Sequence, residues 1–520
     1  MPSIPQPAKG TVVLNGNALR PDHVAAVAHG ARVVLGGEAQ KAMAASVRAF
    51  GEGTELLEGK RRQLLGTRLQ AAGSSAADPR GFILSHCSAV GAPLPIPLAR
   101  ALLVCRANVL AVGASGVRPE TVQRILDLLN AGITPVIPSQ GSVGAAGDLA
   151  PLAHAARVYC GLGGAVFLPD GTRAERVDLG AYRLRPVDPT PKEALALING
   201  ATLTAAMGAM AVFRAQRVRD ALVVACGMTM EALQADLRCL SPGAMALRGH
   251  AGGERVAREL RTLLAGSELA YAGRAPDPFS LRAAPAVIGA LTEAIDHVAG
   301  IVIRELNGAC DNPLWLEDEG IVEVGNFHGA PVALALDYLR AALTQAITQS
   351  ERRTYRLCTG HLVGDLPSFL VEGTGLNSGL MIAQYTAASL ASECKGLSHP
   401  AVVDSIPTVQ HSEDHVSMGP IAGRLTLRVL ECCADIVGIE ALFAAQALDF
   451  RRAGVRFHGG QRLVEPPLAG APGVEAARKT VREVVPFWED DQILEPCLAA
   501  TSALIRSGRL PPDHTPDVPW

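Results

Sequence analysis

From residue 199 onward the chain's apolar positions return with helical spacing for long stretches. The segments 200–238, 284–306, 331–356, 379–396 and 418–450 carry few breakers, so each is predicted to be a long helix. Several are apolar on more than one face, as helices packed inside a bundle or between subunits must be. Before residue 199 the pattern is shorter and more interrupted. One clear amphipathic helix opens at Pro119-Glu120-Thr121, with Val122, Ile125, Leu126 and Leu129 on one face and Gly132 as its stop. The stretch after it, Ile133 to Gly141, holds Pro135 and Pro138 and is expected to form no regular element. This texture suggests a mixed N-terminal domain over 1–198, a long-helix domain over 199–464 and a looser helical tail over 465–520. No internal repeat and no low-complexity segment interrupts it.

Composition narrows the class. Of 520 residues, 48% are hydrophobic and only 4% aromatic, so Ala, Leu and Val must fill the core. Such residues lose little side-chain entropy in helices. The net charge of −3 and the lack of a Lys/Arg-rich tract give no footprint for nucleic acid or an anionic membrane. The first residues, Met1-Pro2-Ser3-Ile4-Pro5-Gln6-Pro7, do not have the layout of a secretory signal. Apolar runs elsewhere are expected to be broken by Arg, Asp or Glu before reaching membrane-spanning length. Eleven cysteines, an odd number with no Cys-x-x-Cys pair, read as reduced thiols of a cytoplasmic protein.

Four separated segments carry the chemistry. They are Gly141-Ser142-Val143-Gly144-Ala145-Ala146-Gly147-Asp148-Leu149-Ala150-Pro151-Leu152-Ala153-His154; Leu195 to Gly200; Glu305-Leu306-Asn307 through Asp311-Asn312-Pro313 to Gly325-Asn326-Phe327-His328; and Gly375 to Gly379 through Ser398-His399-Pro400 to Glu413-Asp414-His415-Val416-Ser417-Met418. In this order they resemble the aromatic amino acid lyases, the histidine, phenylalanine and tyrosine ammonia-lyases, and most nearly the histidine branch. The resemblance implies a mainly α, ammonia-lyase/fumarase-like fold with a central bundle of long helices. It also implies a homotetramer acting on a small-molecule substrate, with sites built from several subunits.

Those enzymes use a methylidene-imidazolone group, MIO, formed when an Ala-Ser-Gly tripeptide cyclises and its serine loses the hydroxyl. Here the triad aligns with Ala145, Ala146 and Gly147, and alanine has no hydroxyl to lose, so no MIO and no other cofactor is expected. The family's tyrosine-bearing N-terminal loop is replaced by Glu58-Gly59-Lys60-Arg61-Arg62-Gln63-Leu64-Leu65-Gly66-Thr67; the first tyrosine of the chain is Tyr159. The family's Gln-Asp-Pro-Tyr-Ser-Leu-Arg reads Pro276-Asp277-Pro278-Phe279-Ser280-Leu281-Arg282, and its Asn-Gln-Glu-Asp-His reads His411-Ser412-Glu413-Asp414-His415.

What remains suggests a pocket. The resemblance marks His86, His411 and Glu413 as candidate acid–base residues. It marks Arg282 as a carboxylate fork, expected to be buried, with Asn199 and Phe327 as further substrate contacts. Each has a plainer structural reading, a packed ring or a hydrogen-bonded buried polar group. Two patterns compete for attention. Gly113-Ala114-Ser115-Gly116 holds a literal Ala-Ser-Gly but leads straight into the helix at Pro119. His411 and His415, four apart, have metal-ligand spacing without the His-Glu-x-x-His order, and no metal is expected.

The leading expectation is an MIO-independent enzyme of specialised metabolism, catalysing elimination, isomerisation or cyclisation on a small, carboxylate-bearing substrate. The alternatives are a non-catalytic homologue that binds a ligand or an active paralogue, and a histidine-type ammonia-lyase inactivated by an engineered Ser-to-Ala change at Ala146.

Overall fold

The computed structural model describes residues 10–52, 78–270, 277–359, 365–409, 412–458 and 461–510. The chain is mainly helical. The predicted long helices are present as Thr202–Ala232, Ala284–Leu306, Ala330–Cys358, Met381–Leu397 and Gly419–Arg452. The amphipathic helix runs Pro119–Asn130, its Val122, Ile125, Leu126 and Leu129 buried, and Gly132 follows it at φ +73°. The tail holds two helices, Pro472–Arg482 and Glu495–Ser507.

Two compact units emerge, each assembled from separated stretches of chain. The first comprises Met1–Phe213, Val298–Asp337 and Pro400–Arg424. It opens with Thr11–Leu14 pairing in parallel with Arg32–Leu35 across the helix Pro21–Ala28. Its innermost helix is Ile96–Ala111, on which every residue from Leu98 to Ala111 is buried. Arg100 on that helix is buried yet useful. It donates to the carbonyls of Val27, Ala28 and Leu129, satisfying the last turns of two neighbouring helices. Burial with no carboxylate partner lowers its pKa to about 10.

The second unit comprises Arg214–His297, Tyr338–His399 and Leu425–Trp520. Its core is tied by a buried ion pair, Arg353 with Glu440, joined by the hydroxyls of Thr229 and Ser350 donating to the same carboxylate. Near the C-terminal end Gln446 bonds the carbonyls of Leu370 and Trp488, while Asp449 takes Arg478 and Arg482.

One expectation needs correction. The stretch after Gly132 is not irregular: Thr134–Pro135 pairs with Val166–Phe167, and Pro138–Gln140 pairs with Val90–Pro93. Proline lacks an N–H but leaves its neighbours free to bond. Val136 donates to the Ala165 carbonyl at 2.9 Å and Ile137 accepts from Leu94 at 2.8 Å. One helix, Ala284–Leu306, is long and apolar enough to cross a membrane by length and composition, although Glu293, Asp296 and Arg304 interrupt it. In this fold its Ile288, Leu291, Ala294, Val298 and Val302 are packed in the protein interior. All eleven cysteines are free thiols, eight of them buried.

Candidate active site

The segment 141–148 is held by backbone contacts on several sides. Gly147 sits at φ +81°, and a Cβ there would fall 2.2 Å from the Gly200 carbonyl carbon. Only glycine permits that approach. Across the contact, Gly200 N–H donates to the Ala146 carbonyl at 3.3 Å and Asp148 N–H donates to the Gly200 carbonyl at 2.9 Å. On the other side Met418 N–H donates to Val143 at 2.9 Å, and the Ser417 hydroxyl donates to the Gly144 carbonyl at 3.2 Å. Ser142 accepts from Gly144 N–H at 3.1 Å. The loop thus links the start of Leu149–Tyr159, the Asn199–Gly200 turn and the lead into Gly419–Arg452.

Around this loop lie groups that burial forces away from their ordinary protonation. Asp148 is fully buried, and desolvation lifts its carboxyl to about 6 even though Thr204 N–H donates to it at 2.9 Å. Glu305 is pushed further, to about 7, first by burial and then by the charge of Asp148. Beside the loop, two acceptors have no protein partner among the described residues: Asn199 Oδ1, on a buried side chain, and Glu305 Oε1. Arg106, buried beside them, donates to Thr202 Oγ1 at 3.2 Å and to the Ala196 carbonyl, and its Nε is left over. The result is a desolvated, acceptor-rich corner of the first unit.

His86 caps the helix Pro79–Ser85 and its Nδ1 lies 2.7 Å from the Phe82 carbonyl. A carbonyl only accepts, so Nδ1 carries the proton and neutral His86 keeps a bare, basic Nε2. Three residues on, Ala89 N–H donates to His154 Nε2 at 3.3 Å, and the Ala89 Cα sits 2.7 Å from where a Gly141 Cβ would be. That anchors the His86 turn to the start of the loop. His154 stays neutral because burial and Arg157 lower its pKa to about 4.

Asn199 ends the helix Pro191–Ile198, whose start is fixed by a capping box between Thr190 and Glu193. Glu193 also binds Arg118 and Thr121, which holds that helix in register. Phe327 is half-buried in a turn, and the nearby Gly329 packs where a Cβ would meet Ala201 at 2.9 Å. Glu413 accepts from Thr408 Oγ1 at 2.6 Å and pairs with Thr408 through the backbone. His86, Asn199, Phe327 and Glu413 therefore all belong to the first unit, on segments bonded to the 141–148 loop or adjacent to ones that are.

Arg282 differs from its expected setting. It belongs to the second unit, at the end of the short helix Phe279–Arg282, and its side chain is exposed, lying 4.7 Å from the centroid of the Phe279 ring. The buried guanidinium expected at this position is not found, because a four-residue surface turn leaves it in contact with solvent. His411, Pro276 and the 58–67 segment lie outside the described residues.

The literal Ala114-Ser115-Gly116 is part of a packed turn. Ala114 accepts from Trp315 N–H at 2.8 Å, and Ser115 is buried. Among the described residues no group of three His, Cys, Asp or Glu is placed to hold a metal. Sequence reasoning missed Asp148, Glu305 and Arg106 as site-forming groups. Two of these lie within the quoted motifs, Asp148 after Gly147 and Glu305 before Leu306, and two acids inside motif segments of an Ala-rich chain were the available signal.

Comparison with known proteins agrees with this geometry. Residues 19–483 match the family described as aromatic amino acid lyase. A histidine ammonia-lyase of Anaeromyxobacter sp. (strain K) is 46% identical over 444 residues, covering 83% of this chain and 84% of that protein. One from Symbiobacterium thermophilum is 42% identical over 513 residues, covering 96% and 97%. The crystal structure of histidine ammonia-lyase from Trypanosoma cruzi superimposes with a TM-score of 0.86 at 36% identity, over 98% of this chain and 96% of that one. A match of this extent in both sequence and fold shows that the chain belongs to the aromatic amino acid lyase family.

Proposed function

We propose that this chain is a cytoplasmic, homotetrameric enzyme of the ammonia-lyase family that works without MIO, by acid–base chemistry on a small, carboxylate-bearing substrate related to histidine. The observation that carries the reading is Ala146. The backbone frame of the loop is intact, with Gly147 against Gly200 and the Ala146 carbonyl tied to Gly200 N–H. Yet the side chain in the middle of the triad is a methyl group with no oxygen to expel. The residues present therefore do not fit the MIO group, and no step is routed through it.

What the chain's own residues offer is proton transfer. His86 Nε2 is an available base, and Glu413 is a carboxylate steadied by Thr408. Asn199 Oδ1 and Glu305 Oε1 are acceptors in want of an N–H or O–H donor. Without an electrophile the substrate must supply a more acidic carbon, a better leaving group or a chain poised to cyclise, which points to elimination, isomerisation or cyclisation. The histidine ammonia-lyase relatives favour an imidazole-bearing amino acid or a derivative of one.

Intact mass and calorimetry test this. The purified chain is expected to have the unmodified mass, to bind L-histidine and to release no ammonia from it at a metabolic rate. A mass lower by two waters, or rapid deamination of L-histidine, would overturn the proposal.

A further inference from the structure

His328 and His415 form a bonded imidazole pair. Their rings are nearly parallel, 23° apart with centroids at 5.3 Å, and His415 Nδ1 lies 3.2 Å from His328 Nε2. One of those two nitrogens must carry the proton between them and the other must not. A third contact decides which. Ala330 N–H donates to His328 Nδ1 at 3.4 Å, so Nδ1 is bare and neutral His328 carries its proton on Nε2. That proton is donated to His415 Nδ1. Neutral His415 then has to carry its own proton on Nε2. The direction Ala330 N–H to His328 to His415 fixes both tautomers in turn.

We infer that His415 is a further substrate-contacting residue of this site, a fixed Nε2–H donor, and that His328 is the positioning residue that sets its tautomer. His415 is exposed in this chain, and among the described residues its Nε2 has no protein partner. The two histidines flank candidates already assigned: His328 directly follows Phe327, and His415 stands two residues after Glu413. The segment carrying His415 continues into Ser417 and Met418, which hold the 141–148 loop. A donor that cannot switch to acceptor without breaking a bond to His328 suits an anionic oxygen, the carboxylate of the substrate class proposed above. In this way the inference rests on that reading for the ligand, but not for the tautomer.

Both parts can be tested on the full chain. With histidine ring nitrogens labelled by 15N, the signals lost in His415→Phe and His328→Phe identify the pair. The wild type is expected to give the Nε2–H pattern for both rings, with a hydrogen-bonded Nδ1 on His415. An Nδ1–H pattern on His415 would overturn the lock. His328→Phe preserves a stacked ring but removes the donor, and should let His415 populate both tautomers. His328→Gln restores an N–H donor and should return the Nε2–H pattern; a purely packing role predicts the opposite ranking. In calorimetry, His415→Phe should weaken L-histidine binding roughly 10- to 100-fold, the usual scale for losing a hydrogen bond to a charged group. Binding as tight as wild type would remove His415 from the site. A wild-type chain that takes up no L-histidine would overturn the substrate reading, while the ring signals still decide the lock.

Discussion

Replacing Glu305 by glutamine should stabilise the protein at alkaline pH and leave it nearly unchanged in acid. Burial and the neighbouring Asp148 raise the Glu305 carboxyl from its ordinary 4.5 to about 7. The folded chain therefore holds a proton that the unfolded chain has released, and between those two values stability falls as pH rises. A tenfold difference in proton affinity between folded and unfolded chain is worth about 1.4 kcal/mol, so the ionised group costs the fold roughly 3 kcal/mol once the pH is well above 7. At pH 5 most of that cost is absent. Glutamine has nearly the same shape and no charge at any pH. Urea unfolding of wild type and Glu305→Gln, with the slope measured for each, should show an advantage for the variant that grows by about 2–3 kcal/mol between pH 5 and pH 8. A remaining downward slope is expected in both proteins, because Asp148 titrates near 6 against its usual 3.8. An advantage that is the same at both pH values, or a variant less stable than wild type at pH 8, would refute the assignment of Glu305 as a desolvated acid.

Three further outcomes are expected. Ala146→Ser should not restore useful deamination of histidine, phenylalanine or tyrosine, since no tyrosine precedes Tyr159 and Phe279 stands where the family has one. Loss of a general base alone costs about a hundredfold to ten-thousandfold, and ammonia release is the assay. Arg353→Leu should destabilise by about 3–5 kcal/mol in urea unfolding, because it leaves Glu440 charged and uncompensated in the core of the second unit. Arg282→Ala, at an exposed position of the second unit, should change stability by less than about 0.5 kcal/mol in urea unfolding; a larger loss would refute its exposed setting.

Long helices were legible because burial imposes a period on the chain. The helix predicted over 284–306 has those bounds in the structure, and the others differ by a few residues at their ends. Those ends depend on caps and tertiary contacts, not on the apolar period. Assembly was less legible. Each compact unit gathers three stretches of chain, and the helices Thr202–Ala232, Ala284–Leu306, Ala330–Cys358 and Gly419–Arg452 contribute to both. A boundary drawn where texture changes follows the order of residues, whereas the units follow packing. Pro135 and Pro138 misled for a related reason, since the bonds that make strands of their neighbours come from Leu94 and Ala165, more than 25 residues away.

The same distinction governs the site. The family resemblance identified His86, Asn199, Phe327 and Glu413 and, through Gly147, the loop they surround. It could not reveal depth. Arg282, expected to be buried, is exposed, while Asp148 and Glu305 in the motif segments are the desolvated acids. Charge type is written in a sequence, but desolvation is a property of what packs around the charge.

The preserved loop bears on function in a particular way. Gly147 is required by its contact with Gly200, and Asp148 is satisfied by Thr204, so the loop's path follows from packing whether residue 146 is serine or alanine. Its survival is therefore no argument for chemistry. Asn199 Oδ1 and Glu305 Oε1 are a different matter. A structural role for a buried acceptor is fulfilled by a donor, and each unpartnered one costs about 1–3 kcal/mol. A protein retained only as a scaffold gains stability by losing them, to Leu or Met at position 305 for instance. Two such acceptors beside an acid raised toward neutral pH are a cost that a ligand with N–H or O–H donors offsets, so the corner of the first unit around Asn199 and Glu305, more than the loop itself, is where a bound substrate would be stabilised.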